Sequence, residues 1–118
     1  MRLSLVQVTV GPHIDKNFQK VDKFINQALS FDPDLILLPE CFLFLSNLKK
    51  TSFTMDHDYI LHYQKFTKIN KVNLLLGSLP ILDKGKVYNR SILINQEGCI
   101  SSYYDKIHMF DVILKNNE

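Results

Sequence analysis

The sequence has few of the residues that staple small proteins together and no strong excess of charge. Its 118 residues include two cysteines, Cys41 and Cys99, four glycines and no tryptophan. The cysteines form neither a CxxC pair nor a metal-ligand cluster, which excludes a disulfide-rich or zinc-stapled scaffold. The formal net charge is +2, without a long basic run. A surface that follows nucleic-acid phosphates is therefore not predicted.

Long apolar runs and export signals are also scarce. Residues 1–10 lack an uninterrupted apolar core and a small-residue cleavage site. The most apolar stretch, residues 35–45, is interrupted by Pro39 and Glu40 and is much shorter than the about 20 residues that a spanning helix needs. With the low cysteine count, these absences predict a soluble protein of the reducing cytoplasm that does not contact membranes.

What is present is a globular composition with helical and extended segments in alternation. Hydrophobic residues make up 46% of the chain, and the length fits one domain. Apolar side chains on both faces of residues 3–10 predict an interior strand. Helical spacing predicts a helix from an N-cap at Asp15 to about Ser30 and a second helix over residues 56–70.

The remaining segments have the composition of strands. Residues 35–38 and 72–79 are apolar runs that predict buried strands. Residues 87–95 and 99–105 flank the turn signal at 96–98, which predicts a β-hairpin. The order βαβαβ followed by a hairpin predicts an α/β fold whose largely parallel sheet is extended on one side by antiparallel strands.

Two charged residues end predicted strands and are candidates for chemistry. Glu40 follows a buried strand, and ligand sites in open α/β sheets form beyond the carboxyl ends of strands. We expect partial desolvation there to raise the pKa of Glu40 and make it a better base. Lys106 ends the last strand, where an ammonium can stabilise a developing oxyanion. The alternative for Glu40 is a loop glutamate that caps the next element, and the alternative for Lys106 is a solvated lysine at a strand end.

The ordered set of strand-end motifs resembles the N-terminal part of the nitrilase, or carbon–nitrogen hydrolase, superfamily. In chain order, the set consists of Gln7, residues 37–40, Gly77 with Ser78, Tyr88 with Asn89, and residues 105–111. The resemblance covers essentially the whole chain, 1–118, as the first part of a carbon–nitrogen hydrolase domain. It implies the N-terminal portion of an α-β-β-α sandwich. The run 105–111 looks closest to the omega-amidase and deaminated glutathione amidase branch.

The resemblance implies hydrolysis of small linear amides by a Glu-Lys-Cys triad, with no metal and no organic cofactor. Glu40 would be the general base and Lys106 the oxyanion stabiliser. The family's nucleophilic cysteine, in a Cys-Tyr-Asp-like motif, is missing from these residues. The chain is therefore expected to be a truncated or split form that is inactive alone. A complementary C-terminal half, or a homo-oligomer, would be its partner.

Neither cysteine of the chain fits the missing role. Cys41 directly follows Glu40, and neighbouring side chains on an extended segment point in opposite directions. Buried cysteine more often acts as a small hydrophobic residue. Cys99 begins a predicted hairpin strand and has no base next to it in sequence. Both are expected to be structural.

Other polar residues near the motifs receive supporting roles. His108 is expected to support the site without touching the reacting atoms. Asn89 and Arg90 are expected to fix the hairpin near the site. Glu118 does not lie in the motif of the family's second glutamate, so that role is not assigned to it.

The main alternative is a non-catalytic α/β remnant or interaction module that keeps the surface of the fold without its chemistry. A nucleotide-binding domain is disfavoured, because Gly11 and Pro12 do not form a glycine-rich phosphate loop. In either case, a partial sandwich would expose strand edges and apolar faces. We therefore expect the isolated chain to self-associate or remain loosely packed.

Overall fold

The computed structural model describes residues 1–45 and 51–108. Its strands are β1 (Leu3–Leu5), β2 (Leu35–Leu37), β3 (Asn73–Asp83), β4 (Lys86–Ile94) and β5 (Ile100–Asp105). Its helices are α1 (Ile14–Ala28), followed by a 3-10 turn (Leu29–Phe31), and α2 (Asp58–Asn70). The predicted alternation of strands and helices followed by a hairpin is confirmed.

The five strands form one sheet in the order β1-β2-β3-β4-β5. β1, β2 and β3 are parallel, whereas β3, β4 and β5 pair in antiparallel fashion. The two crossovers, through α1 and α2, proceed in the same direction along the sheet. Because such crossovers are right-handed, both helices lie on the same face. The described residues thus form one helical layer on one sheet.

The core fills the space between the helices and that face of the sheet. Val21 and Ile25 on α1 and Ile60 on α2 are fully buried. They belong to the same apolar cluster as Ile36 of β2 and Leu74 of β3. Full burial of such a side chain stabilises a fold by about 1.5–3 kcal/mol. The packing of the helices against this face therefore stabilises the parallel strands whose carboxyl ends carry the candidate residues.

The opposite face of the sheet is also apolar, and no helix of the described residues covers it. We call it the open face, and its apolar side chains are Leu3, Leu5, Leu35, Leu37, Leu75 and Leu93. The strand register aligns one row of them across four strands: Leu5, Leu37, Leu75 and Leu93. β1 lies at the edge of the sheet, and its Leu3 and Leu5 are 51% and 77% exposed. The prediction of an interior strand covered on both faces is therefore wrong for the described residues.

The helix starts differ from the predicted ones by one or two residues. α1 begins at Ile14 with His13 as N-cap, and no side chain caps it. Asp15 instead lies in the first turn, where its negative charge interacts favourably with the helix dipole. Its carboxylate also accepts a hydrogen bond from Tyr59 Oη at 2.6 Å. α2 begins after His57, whose Nδ1 accepts from the backbone N–H of Tyr59 at 3.1 Å.

A long hairpin of β3 and β4 extends the sheet beyond the predicted strand end at residue 79. The hairpin turns at Lys84 and Gly85, whose φ angles of 50° and 79° suit a tight turn. Pro80 stays within β3 although it has no N–H to donate, since its carbonyl accepts from Phe53 N at 2.8 Å. This hairpin places Asn89 of β4 opposite Pro80.

Candidate active site

Glu40 and Lys106 lie together beyond the carboxyl end of β2, at the end of β5. Lys106 Nζ donates to Glu40 Oε1 at 3.2 Å. Both side chains are partly accessible, with exposed fractions of 41% for Lys106 and 59% for Glu40. The residues are 66 positions apart in sequence, so the tertiary fold brings them together. The structure thus places the two predicted site residues in direct contact.

Asn89 completes the contacts of this carboxylate. Its Nδ2 donates to the same oxygen, Glu40 Oε1, at 2.9 Å. Two donors therefore converge on one oxygen, and in the described part of the chain Oε2 accepts no hydrogen bond. A carboxylate oxygen has further lone pairs available for a proton. The arrangement holds Glu40 by one oxygen and leaves the other accessible.

The expected rise in the pKa of Glu40 is wrong, because the structure gives the opposite direction. The hydrogen bond from Asn89 and then the one from Lys106 hold the pKa of Glu40 below its ordinary value of 4.5. Burial acts in the opposite direction but is weaker, since more than half of the side chain is exposed. Glu40 is therefore an anion at neutral pH, ready to accept a proton.

Gly77 of β3 allows the chain to reach this position. A Cβ atom at residue 77 would clash with the backbone carbonyl groups of Leu38 and Pro39. Only glycine lets the segment between β2 and Glu40 lie so close to β3. The carbonyl of Gly77 also accepts from Ser91 Oγ at 2.5 Å. The Gly-Ser strand end of the sequence thus has a steric reason.

Ser78 anchors the turn that follows Glu40. The backbone N–H of Cys41 donates to Ser78 Oγ at 3.0 Å, and Cys41 has a left-handed φ of 51°. The segment is therefore a turn, and the expected extended geometry at Glu40 and Cys41 is wrong. The thiol is nevertheless buried, and this burial raises the pKa of Cys41. A protonated, enclosed thiol is a poor nucleophile, so Cys41 remains a structural residue in our interpretation.

A cleft of about 300 Å³ lies next to the contact between Glu40 and Lys106. Its other lining residues are Gly77, Ser78, Asn89, Ser91 and Tyr104. The size falls at the lower end of the range for small-molecule sites. Hydroxyl, amide, carboxylate and ammonium groups converge in it, so it suits a small polar ligand.

The structure does not bring the remaining candidates into this cleft. His108, Gln7 and Cys99 are exposed and do not line it. Residues 109–111 of the last motif and Glu118 lie outside the described residues. Arg90 points away from the cleft and pairs with two aspartates on the other side of the sheet. The expectation that Arg90 fixes the hairpin agrees with these contacts.

Sequence reasoning missed the contact of Asn89 with Glu40 and the place of Tyr104 in the cleft. From its sequence context, Asn89 is expected only to fix the hairpin. The antiparallel register of β3, β4 and β5 decides both positions, and a sequence read segment by segment does not give that register. The available signal was the dipeptide of Tyr88 and Asn89 within the motif set.

A metal-binding cluster and a membrane-spanning helix are not found within residues 1–45 and 51–108. No group of three or more histidine, cysteine, aspartate or glutamate side chains is placed to hold a metal ion there. Over the same residues, no helix is long and apolar enough to cross a membrane.

A carboxylate and a lysine at strand ends of such a sheet point to a class of proteins, and comparison of the sequence with known protein families identifies that class. The family model described as carbon-nitrogen hydrolase matches residues 2–118. The chain belongs to the carbon–nitrogen hydrolase family.

Its relatives include two amidases. The chain is 33% identical to an omega-amidase of Saccharomyces cerevisiae, over 98% of this chain and 44% of the relative. It is 32% identical to a deaminated glutathione amidase of Dictyostelium discoideum, over 94% of this chain and 42% of the relative. The chain therefore spans less than half the length of these relatives.

A solved structure supports the fold. The crystal structure of Saccharomyces cerevisiae Nit3, a member of branch 10 of the nitrilase superfamily, matches with a TM-score of 0.79 and 26% identity. The match covers 92% of this chain and 44% of that one. The predicted fold class, part of a nitrilase-type sandwich, is confirmed.

Proposed function

We propose that this chain is the first part of a carbon–nitrogen hydrolase domain and provides two of the three catalytic groups of an amidase. Glu40 is the general base and Lys106 the oxyanion stabiliser. The nucleophilic cysteine comes from a complementary segment outside these 118 residues. The observation that carries the proposal is the convergence of Lys106 and Asn89 on Oε1 of Glu40 at the carboxyl end of the sheet.

The chemistry divides into two steps. Oε2 of Glu40 takes the thiol proton, and the thiolate attacks the amide carbon, so the carbonyl oxygen becomes an oxyanion. Glu40 returns the proton to the departing amine, and a thioester remains. Glu40 then takes a proton from water, the hydroxide attacks the thioester, and the thiol is released with that proton. The acid product and the regenerated thiol close the cycle.

Lys106 fits the role of oxyanion stabiliser in this scheme. Its ammonium has three N–H donors, and Glu40 takes one of them. The others can donate to an oxygen that gains negative charge, which is where such groups contribute most to the rate. Asn89 keeps Glu40 in place if Lys106 shifts toward the oxyanion, since both share Oε1.

We propose small linear amides as the substrate class, within the branch of omega-amidases and deaminated glutathione amidases. The support is the small polar cleft, with Ser91 and Tyr104 as further polar side chains, and the printed names of two relatives. No metal or organic cofactor has a role in the proposed steps. We place the reaction in the cytoplasm, since Cys41 and Cys99 are both free thiols.

A second candidate function follows from the open face. A sheet with one uncovered apolar face can associate with another chain without any chemistry. In that case Glu40 and Lys106 would be remnants, and the protein would be a non-catalytic interaction module. Replacement of both residues distinguishes the two functions, because only a catalytic role requires them.

Complementation tests the proposal. The chain is coexpressed with the C-terminal part of the yeast omega-amidase that its match does not cover, and ammonia release from small omega-amides is measured. We expect turnover that falls by roughly 10²-fold or more in Glu40→Gln and Lys106→Met, as for other positioned acid–base and oxyanion groups. Lys84→Met, at the exposed β3–β4 turn, is the matched control and should keep full activity.

Two results would count against the amidase proposal. The first is turnover that survives in Glu40→Gln. The second is stable association of the two parts without any ammonia release, with the variant Glu40→Gln/Lys106→Met associating equally well. The second result supports the interaction module.

A further inference from the structure

Arg90 holds an ionic cluster that the proposed chemistry does not use, in which the guanidinium is buried and the two carboxylates are partly exposed. Its Nε and Nη2 donate to the two carboxylate oxygens of Asp105 at 2.7 and 3.0 Å, and Nη2 also donates to Asp83 at 3.1 Å. The guanidinium carbon lies 4.0 Å from the ring centre of Tyr103 and 5.4 Å from that of Tyr88. Arg90 is only 2% exposed. We call Arg90, Asp83 and Asp105 the arginine clamp.

Stability alone is a poor reason for such a cluster. Replacing a desolvated ion pair by well-packed apolar residues of similar volume is often neutral or stabilising, because the cost of desolvation offsets much of the attraction. The best-attested use of such ion pairs is to fix one register or arrangement among several. A bidentate guanidinium–carboxylate pair is suited to fixing a strand register, because its planar geometry tolerates little displacement.

The clamp lies directly behind the candidate active site. Arg90 follows Asn89 on β4, and Asp105 precedes Lys106 at the end of β5. Successive side chains on a strand point to opposite faces, so the clamp is on one face while Asn89 and Lys106 are on the other. In the β4–β5 pairing, Arg90 lies opposite Asp105. The backbone N–H of Lys106 then donates to the backbone carbonyl of Asn89 at 3.0 Å.

The register of these two strands needs a lock. The β4–β5 ladder is irregular between Leu93 and Ile94, and β5 is the edge strand of the described sheet. A shift of one residue would carry every side chain of β5 to the other face. Lys106 would then leave Glu40, and the ammonium would point toward the helical layer.

We propose that Arg90 is a positioning residue that, through its paired contact with Asp105, fixes the β4–β5 register and so brings Lys106 and Asn89 to Glu40. The catalytic meaning of this role rests on the proposed amidase function. The placement of Lys106 itself does not.

A zero-length cross-link measures that placement directly, without any turnover. A water-soluble carbodiimide converts a carboxylate to an O-acylisourea. The amine of a contacting lysine then displaces a urea, loses a proton and forms an amide. The full chain is treated with the reagent and digested, and the peptide that joins Glu40 to Lys106 is quantified by mass spectrometry. Lys106→Met defines the background.

Asp105→Asn and Asp83→Asn form a matched pair, since each removes one carboxylate charge from Arg90. Only Asp105 precedes Lys106. We expect the cross-link to fall roughly tenfold in Asp105→Asn and Arg90→Gln, as for the loss of a paired charged contact, and to stay within about twofold of the wild type in Asp83→Asn. Arg90→Lys, which keeps the charge and one donor, should restore part of the yield relative to Arg90→Gln.

Circular dichroism of each variant verifies that the sheet remains folded. Three outcomes would overturn the inference: no cross-link in the wild type, an unchanged cross-link in folded Asp105→Asn, or equal losses in Asp83→Asn and Asp105→Asn. The last would mean that the clamp acts on stability alone. A clamp-dependent cross-link in a chain that no complement activates would keep the positioning role and reject the amidase. Amide turnover with a clamp-independent cross-link would do the reverse.

Discussion

At the scale of single residues, the carboxylate of Glu40 is the centre of the site. Its environment differs from the one its sequence context predicts, since two polar donors outweigh desolvation. In the proposed role of general base, a lowered pKa makes Glu40 weaker in principle but keeps it ionised over the physiological range. The consequence is a wide pH range over which the base is ready.

This environment predicts the pH dependence of the complemented enzyme. Because Glu40 must be ionised, kcat/KM should fall only as the pH drops through a pKa below 4.5. Asn89→Ala should move this acidic limb upward, since it removes the largest cause of the lowered pKa. The pH profile of kcat/KM measures the shift, with the exposed turn residue Glu97→Gln as the control.

The sign for stability follows from the same contacts. The folded-state pKa of Glu40 is lowered, so its contacts stabilise the fold above the ordinary pKa and are lost as the pH falls through the lowered value. An acidic limb near neutral pH, unchanged in Asn89→Ala, would mean that desolvation governs Glu40 after all.

At the scale of elements, the close approach of the segment after β2 to Gly77 of β3 determines where Glu40 lies relative to the sheet. The segment that leaves β2 runs against β3 at a distance that excludes a side chain. The site therefore depends on the packing of backbone against backbone as well as on the polar groups that line the cleft.

Gly77→Ala should disturb this close approach. Its Cβ meets rigid backbone carbonyls, so we expect a loss of about 1–3 kcal/mol in the free energy of unfolding and a strong loss of complemented turnover. Gly85→Ala is the control: residue 85 has a left-handed φ of 79° but open space around it. It should cost about 1–2 kcal/mol from backbone strain and leave turnover intact. Equal activity of the two folded variants would contradict the steric role of Gly77.

The elements also show how far sequence reasoning reaches. Periodicity predicted both helices and the succession of strands along the chain, because each is a local pattern of burial. It missed the continuation of β3 past Pro80, since a proline signals a strand end unless the acceptor geometry of its partner is known. It also missed the hydrogen bond between Asn89 and Glu40. These residues are 49 positions apart, and the register of the strands brings them together.

At the scale of the whole molecule, the open face is the dominant feature. It presents aligned leucines across four strands, and within the described ranges β1 is an edge strand with a neighbour on one side only. The pattern of residues 3–10 predicted cover on both faces, and the described residues supply one.

We expect the isolated chain to self-associate through the open face. Leu5→Glu/Leu75→Glu places charges on it and should lower the sedimentation coefficient toward that of the monomer while abolishing complementation. Ile69→Glu is the control, since Ile69 is 76% exposed but lies on α2 and should change neither property. A wild-type chain that is monomeric with a sharp thermal transition would refute this expectation.

The shared oxygen of Glu40 has a consequence for how such an enzyme assembles. Because base, amide and ammonium are already joined within one chain, a partner has a single chemical group to deliver. Assembly then adds a thiol to groups that one chain already holds together, but the partner must first displace the self-association of the open face. Turnover should therefore rise steeply once the partner outcompetes self-association, and should reach the same maximal rate for any partner that presents its thiol correctly.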